Sequence, residues 1–223
     1  MITIKNLYLK YIREYYALFD INLKIEENEK ISFVGSEDSG KTSLIRILSK
    51  LENFTSGEVY VNQTPLKKVN FKSDLSVGYL PVNPIFLKKK TVEQNLKYIL
   101  KSRKIDKSKA EMLINEVLID YNIEKYKFSK IEELSLFEKY VISLARLSLR
   151  KLDIILIDNV FDYLNEKESE EIVSILKEKF ISNENLTSIV ATSSEQIANE
   201  LSSRKVYFKS GSLVQSLEDN AQE

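Results

Sequence analysis

One stretch limits what this chain can fold into: ISFVGSEDSGKTSLIRILSKL, from Ile31 to Leu51. Ile31-Ser32-Phe33-Val34 reads as a short buried strand, and Leu44, Ile45, Ile47, Leu48 and Leu51 recur at helical spacing. Between them, Gly35-x-x-x-x-Gly40-Lys41-Thr42 has the full spacing of a phosphate-binding loop in its strand–loop–helix setting. The residue types follow from the chemistry. Glycine lets backbone N–H groups curl round phosphate oxygens with no Cβ in the way. Lys41 brings a mobile positive charge, Thr42 a hydroxyl for a magnesium ion, and the new helix turns its positive end to the anion. The stretch predicts nucleoside-triphosphate binding.

Composition narrows the remaining options. A chain of 223 residues can build one large domain or two small ones. Lysine plus arginine equals aspartate plus glutamate at 33 each, so no global basic field exists for a nucleic-acid backbone. Lys88-Lys89-Lys90 reads as a solvated surface turn. Without cysteine there is no disulfide or thiolate site, and without histidine no imidazole catalysis or Cys/His zinc site. Any metal must take oxygen ligands. The N-terminus lacks an apolar core of signal-peptide length and no stretch approaches a membrane span, which predicts a soluble, intracellular protein.

Taken in order, Ile2 and Ile4, then Leu7 and Leu9, alternate on either side of a phase change and predict an N-terminal strand. Leu18–Ile25 predicts a second, and Glu58–Val61, after a Ser56-Gly57 turn, a third; the three suggest a small antiparallel sheet beside a nucleotide core. Val77–Leu80 is a further strand, ended by Pro81 and Pro84. Thr91-Val92-Glu93-Gln94 is a capping box opening a helix to about Lys101, and Ser135-Leu136-Phe137-Glu138 opens another through Leu147. Asp106 caps a helix between them, with Met112, Leu113, Val117 and Tyr121 on one face. Residues 86–150 therefore read as a mostly helical insertion. Ile154–Ile157 is a buried-type strand ending on Asp158, and a long helix follows with Ile172, Val173, Ile175, Leu176 and Phe180. Ser188–Thr192 is a strand, Ile197, Ala198 and Leu201 belong to a helix, and two short strands flank Gly211. This alternation predicts an α/β fold with a mainly parallel sheet covered on both faces. The last eight residues read as a frayed end.

An aspartate at the carboxyl end of a buried strand, downstream of a phosphate-binding loop, sits where it can hold magnesium through water, and Asp158 has that place. In this order the motifs resemble the nucleotide-binding cassette of ABC-type ATPases, over almost the whole chain. Tyr11 takes the place of the aromatic that stacks on adenine, although its spacing to Ala17-Leu18 is one residue longer than usual. Gly35–Ser43 looks like Walker A, Val77–Pro81 like the approach to the Q-loop, and Thr91–Leu96 like the helix after it. Leu134-Ser135 with Ala145-Arg146 looks like the signature segment and its helix, and Leu156-Ile157-Asp158 like Walker B. A GTPase would carry Asn-Lys-x-Asp, which is missing, and a small-molecule kinase leaves the 134–165 pattern unexplained. The resemblance implies a P-loop NTPase core with an N-terminal antiparallel β subdomain and a helical insertion, all within one ATP-binding domain. It also implies ATP held by Tyr11, Gly35, Ser36, Ser39, Gly40, Lys41, Thr42, Ser43 and Ser135, with Mg2+ on Thr42 and Asp158.

The departures fall on groups that act on the γ-phosphate or its attacking water. Where the family pattern has glutamine after the proline, this chain has Val82; where it has a glycine pair after the signature serine, Leu136 and Phe137. Asn159 replaces the glutamate after the Walker B aspartate, Val160 the proline after that, and Ser193 the switch histidine. An amide cannot accept a proton as a carboxylate does, and losing a general base removes about 10²–10⁴ in rate. Leu136 and Phe137 put side chains where glycine would let the backbone approach a partner-bound phosphate. Ser135 is either a helix cap paired with Glu138 or a phosphate contact. The resulting expectation is an ATP-binding subunit of an ABC-type transporter with weak or absent hydrolysis. It would be cytoplasmic, held at the membrane through a permease and paired with a second, more complete cassette. The alternative is a non-transporting pseudo-ATPase that acts as a nucleotide-gated regulator or scaffold.

Overall fold

The computed structural model describes residues 1–12 and 15–217. Two sheets divide the strands. The first is antiparallel, in the order β2-β1-β4-β5: β1 (Ile2–Ile12), β2 (Tyr15–Ile25), β4 (Ser56–Val61) and β5 (Thr64–Pro65). The phase change in β1 is a register shift between Ile4 and Leu7, with Asn6 at positive φ. The extra residue keeps Ile2, Ile4, Leu7 and Leu9 on one buried face.

The second sheet runs β10-β9-β3-β8-β7-β6. Its strands are β3 (Lys30–Val34), β6 (Val77–Leu80), β7 (Ile154–Asp158), β8 (Thr187–Thr192), β9 (Arg204–Lys209) and β10 (Ser212–Val214). Every pairing is parallel except β9–β10. Helices cover both faces: α1 (Lys41–Leu48), α2 (Val92–Ser102), α3 (Lys107–Asp120), α4 (Leu136–Ser148), α5 (Glu166–Leu176) and α6 (Glu195–Leu201). The continuous apolar run in β7 follows from this. Ile154 and Leu156 pack towards α1 and the antiparallel sheet, Ile155 and Ile157 towards α2–α5. The fold is thus a P-loop-type α/β core with an antiparallel sheet on one side and the α2–α4 helices, inserted between β6 and β7, on the other.

Capping chemistry places the helix starts. Thr91 and Ser135 each form a reciprocal box with the residue three on, Gln94 and Glu138, and Asp106 caps α3. Two helical expectations need correction. The buried face of α3 is Ala110, Ile114, Val117 and Leu118, whereas Met112 is 52% exposed. Met112 and Val117 are five residues apart, about 140° round the helix, so one stripe cannot hold both. The helix carrying Ile172 and Leu176 does not reach Phe180 as α-helix but passes into a π turn, Lys177–Ile181. Four-residue steps drift round an α-helix by about 40° each, and the wider turn returns Phe180 to the core. The end expected to fray lies mostly outside the described residues.

Parallel pairing puts the carboxyl ends of β3, β6, β7, β8 and β9 along one sheet edge. The loops that follow them, beginning at Gly35, Pro81, Asn159, Ser193 and Ser210, are gathered there. Phe33 anchors the central strand, fully buried with its ring 5.1 Å from that of Phe208 on β9. Phe33→Ala is expected to cost about 3–5 kcal/mol, measured by urea denaturation.

Candidate nucleotide site

The loop after β3 is held tightly from two sides. A Cβ on Gly35 would lie 2.3 Å from the Phe208 carbonyl oxygen, and one on Gly40 2.7 Å from that of Ala17 on β2. Gly40 also takes φ of 104°, a left-handed value that glycine adopts without strain. The Gly211 N–H, in the β9–β10 turn, donates to the Ser39 carbonyl at 3.0 Å. Helix α1 then starts with no side-chain cap and no acidic residue in its first turn. The other five α-helices are each capped by a side-chain oxygen, from Thr91, Asp106, Ser135, Asn165 and Ser194. The free N–H groups at the start of α1 are therefore suited to an anion.

Lys41 is only 2% exposed, and its ammonium lies inside the loop. It donates to the carbonyls of Gly35 at 2.7 Å and Ser36 at 2.6 Å and to Ser39 Oγ at 3.1 Å. Burial lowers its pKa, opposed by the charges of Asp162, Asp158, Asp38 and Glu37 in that order. One helical position on, Thr42 Oγ1 donates to Asp158 Oδ1 at 2.7 Å, while Tyr79 OH donates to Asp158 Oδ2 at 3.1 Å. Asp158 is 1% exposed; burial raises its pKa against the pull of both hydrogen bonds and of Lys41. Among the described residues no cluster of three or more acidic side chains could hold a metal alone. An ion on the Thr42–Asp158 pair would therefore complete its oxygen shell with phosphate or water, as magnesium does.

Lys41 and Thr42 border a cavity of about 470 Å³ lined by Tyr11, Tyr15, Ala17, residues 37–43, Val82, Asn159, Asp162 and Tyr163. Tyr11 OH is 3.2 Å from Ser43 Oγ and also reaches Glu52. Its ring and that of Tyr15, across the β1–β2 hairpin, are each about half exposed. Asn159 is buried in the left-handed region, and its Oδ1 finds no hydrogen-bond partner among the described residues. That oxygen is sealed inside the protein, although other atoms of Asn159 line the cavity.

Of the expected residues, Gly35, Ser36, Asp158, Ser135 and Ser193 are not in the cavity lining, and the last two stand apart from the loop and Asp158. Ser135 caps α4, accepting from the Glu138 N–H, and does not line the cavity; Leu136 and Phe137 pack half-buried on the helical core. Ser193 does not line it either, but its Oγ donates to Asp162 Oδ1 at 2.8 Å. Sequence reasoning missed Tyr15, Glu37, Asp38, Asp162, Tyr163 and Tyr79. Asp38, at φ of 60°, and Asp162, four residues after Asp158, were visible as acids beside known motifs. Tyr79 left no signal beyond its place in β6, because its partner is 79 residues away.

Residues 18–162 match the ABC transporter family model. The sn-glycerol-3-phosphate import ATP-binding protein of Roseobacter denitrificans is 27% identical over 212 residues, 93% of this chain and 59% of that protein. The chain thus spans about three fifths of that relative. Two solved structures share the fold. One is a dimeric ATP-binding cassette in a post-hydrolysis state bound to ADP and Pi, with a TM-score of 0.83, 24% identity and 96% of each chain covered. The other, a Clostridium perfringens protein that is part of the ABC transporter complex cbiONQ, has a TM-score of 0.79 and 20% identity, covering 96% of this chain and 86% of that one. Among the described residues, no helix is long and apolar enough to cross a membrane.

The burial of Asp158 sets up a trade between stability and binding. Its folded pKa is raised, so its charge destabilises the ligand-free protein increasingly as pH rises through the unfolded carboxylate range and on through the folded pKa. Asp158→Asn keeps the shape and removes that charge. The ligand-free protein is expected to melt higher than the wild type at pH 7. The same variant should lose the extra stabilisation that magnesium adds to ATP; scanning calorimetry with ATP, with and without magnesium, checks both.

Proposed function

Because the chain belongs to the ABC transporter family, we propose that it is the ATP-binding subunit of a membrane transporter, with slow intrinsic hydrolysis. The observation that carries the reading is the Thr42–Asp158 contact beside the buried Lys41 and the uncapped start of α1. Bound magnesium would supply positive charge to the phosphates there, held by Thr42 and Asp158. Lys41 exchanges its bonds to the loop carbonyls for phosphate oxygens, and the backbone from Gly35 to Ser43, with Ser36 and Ser39, wraps them. Tyr11 offers its ring to the base. Ser135 serves a nucleotide on a partner chain through the start of α4.

The whole chain, residues 1–223, acts as one ATP-binding domain, with 86–150 as its helical subdomain. Several features support slow chemistry. The Asn159 amide cannot take a proton, Val82 offers magnesium no oxygen from its side chain, and the Ser193 hydroxyl is a poor proton shuttle. Names of relatives support the setting: import ATP-binding proteins and a part of a transporter complex. On this reading the chain lies on the cytoplasmic face against a permease, beside a second cassette that supplies a glutamate and a glycine-bearing signature. The regulatory alternative is favoured by one observation, that the replaced groups fall at both 136–137 and 159. It predicts no transporter subunit among co-purified proteins.

Saturating ATP with magnesium, at about 100-fold above Kd, is expected to raise the melting temperature by about 5–10 °C. Lys41→Ala should remove that shift; equal responses in the two proteins would refute the loop assignment. Steady turnover of the purified chain should stay below about 1 s⁻¹ in a phosphate-release assay.

A further inference from the structure

Asn159 is not the last residue of its segment to face the cavity. From it, left-handed at φ of 47°, the chain enters one turn of 3-10 helix, Val160–Tyr163. Val160 and Phe161 are buried in the helical core and fix the turn's rotation. Asp162, three residues after Asn159, consequently lines the same cavity as Asn159, Lys41 and Thr42. Its carboxylate is oriented from the next loop, since Ser193 Oγ donates to Oδ1 at 2.8 Å.

The other acids near Lys41 are less suited to act on water. Asp158 has one oxygen engaged by Thr42 and the other by Tyr79. Glu37 and Asp38 belong to the phosphate-binding loop itself, on the side that would wrap the anion. Asp162 lines the cavity from the segment that carries Asn159, outside the phosphate-binding loop.

We propose that Asp162 is the base of this site, taking the proton of the water that attacks the γ-phosphorus of bound ATP. The inference rests on the ATP-binding reading above and assigns the task that the Asn159 amide cannot perform. In the step, the water oxygen forms a bond to the γ-phosphorus while the bond from that phosphorus to the β,γ-bridging oxygen breaks. The bridging oxygen leaves with the electron pair as ADP, the Asp162 carboxylate accepts one water proton, and that proton later passes to solvent. ATP and water become ADP, inorganic phosphate and a proton. Ser193 is a positioning residue, holding one carboxylate oxygen so that the carboxylate keeps its aim.

The test uses the full chain with ATP and magnesium, reading three quantities: ATP-dependent melting shift, ADP formed in a single turnover, and the identity of nucleotide extracted from the protein. Asp162→Asn is isosteric and is expected to keep the wild-type melting shift, lose about 10²-fold or more in hydrolysis, and yield ATP where the wild type yields ADP. Asp162→Glu should recover part of the rate. Equal ADP formation by wild type and Asp162→Asn, with equal melting shifts, overturns Asp162 as the base. So does a wild type that binds ATP and forms no ADP. No melting shift in any of the proteins overturns the ATP-binding reading itself, and this inference with it.

Discussion

Close backbone packing around the phosphate-binding loop is the constraint on which the rest of the molecule depends. Three of the chain's five glycines, Gly35, Gly40 and Gly211, meet there. Gly40 lies against the Ala17 carbonyl of β2, Gly35 against the Phe208 carbonyl of β9, and Gly211 bridges them, donating to Ser39 and accepting from the Phe19 N–H. The N-terminal sheet and the last hairpin, nearly 200 residues apart in sequence, are thereby both walls of one loop. The loop packs against both, so the antiparallel sheet is part of the site and no appendage to it.

That geometry sets an electrostatic problem. A buried ammonium is surrounded by carboxylates but bonded directly to none of them, its three donors going to the loop's own oxygens. Asp158 is buried too, and its charge is tempered by two hydroxyl donors. Glu37, Asp38 and Asp162 add negative charge to the cavity wall. A polyphosphate entering alone would meet this field unfavourably, while one carrying a divalent cation would not. The uncapped start of α1 and the loop amides would then be the attractive part of the site, in keeping with α1 being, among the described residues, the α-helix without a side-chain cap.

What could be read from the sequence was what is satisfied locally. A cap bonds residues three apart, so Thr91 with Gln94 and Ser135 with Glu138 were legible as helix starts. The loop is a run of eight residues with fixed spacing, and Asp158 stands at the end of an unmistakable apolar run. The misses depend on rotation or distance. Met112 was assigned to a face that the helix repeat does not allow, and the π turn after Leu176 is an adjustment made by packing. Tyr79 and Ser193 have partners 79 and 31 residues away, so the hydroxyl hydrogen bonds that bring them to the site become visible only in three dimensions. Asp162 could be seen in the sequence, but its direction depends on the 3-10 turn.

The helices between β6 and β7 reach the site through backbone. Tyr140 on α4 donates its hydroxyl to the Val82 carbonyl, Arg146 donates to that of Ile85 at 2.7 Å, and its guanidinium lies 4.4 Å from the Phe86 ring centre. Three contacts thus strap residues 82–86 to α4, whose first residue follows Ser135. At Val82 the chain offers the cavity an apolar side chain and has already committed its carbonyl to Tyr140. These contacts tie the cavity wall at Val82 to α4 through positions that carry no phosphate-binding side chain. The side chain at position 82 contributes shape to that strap without polarity.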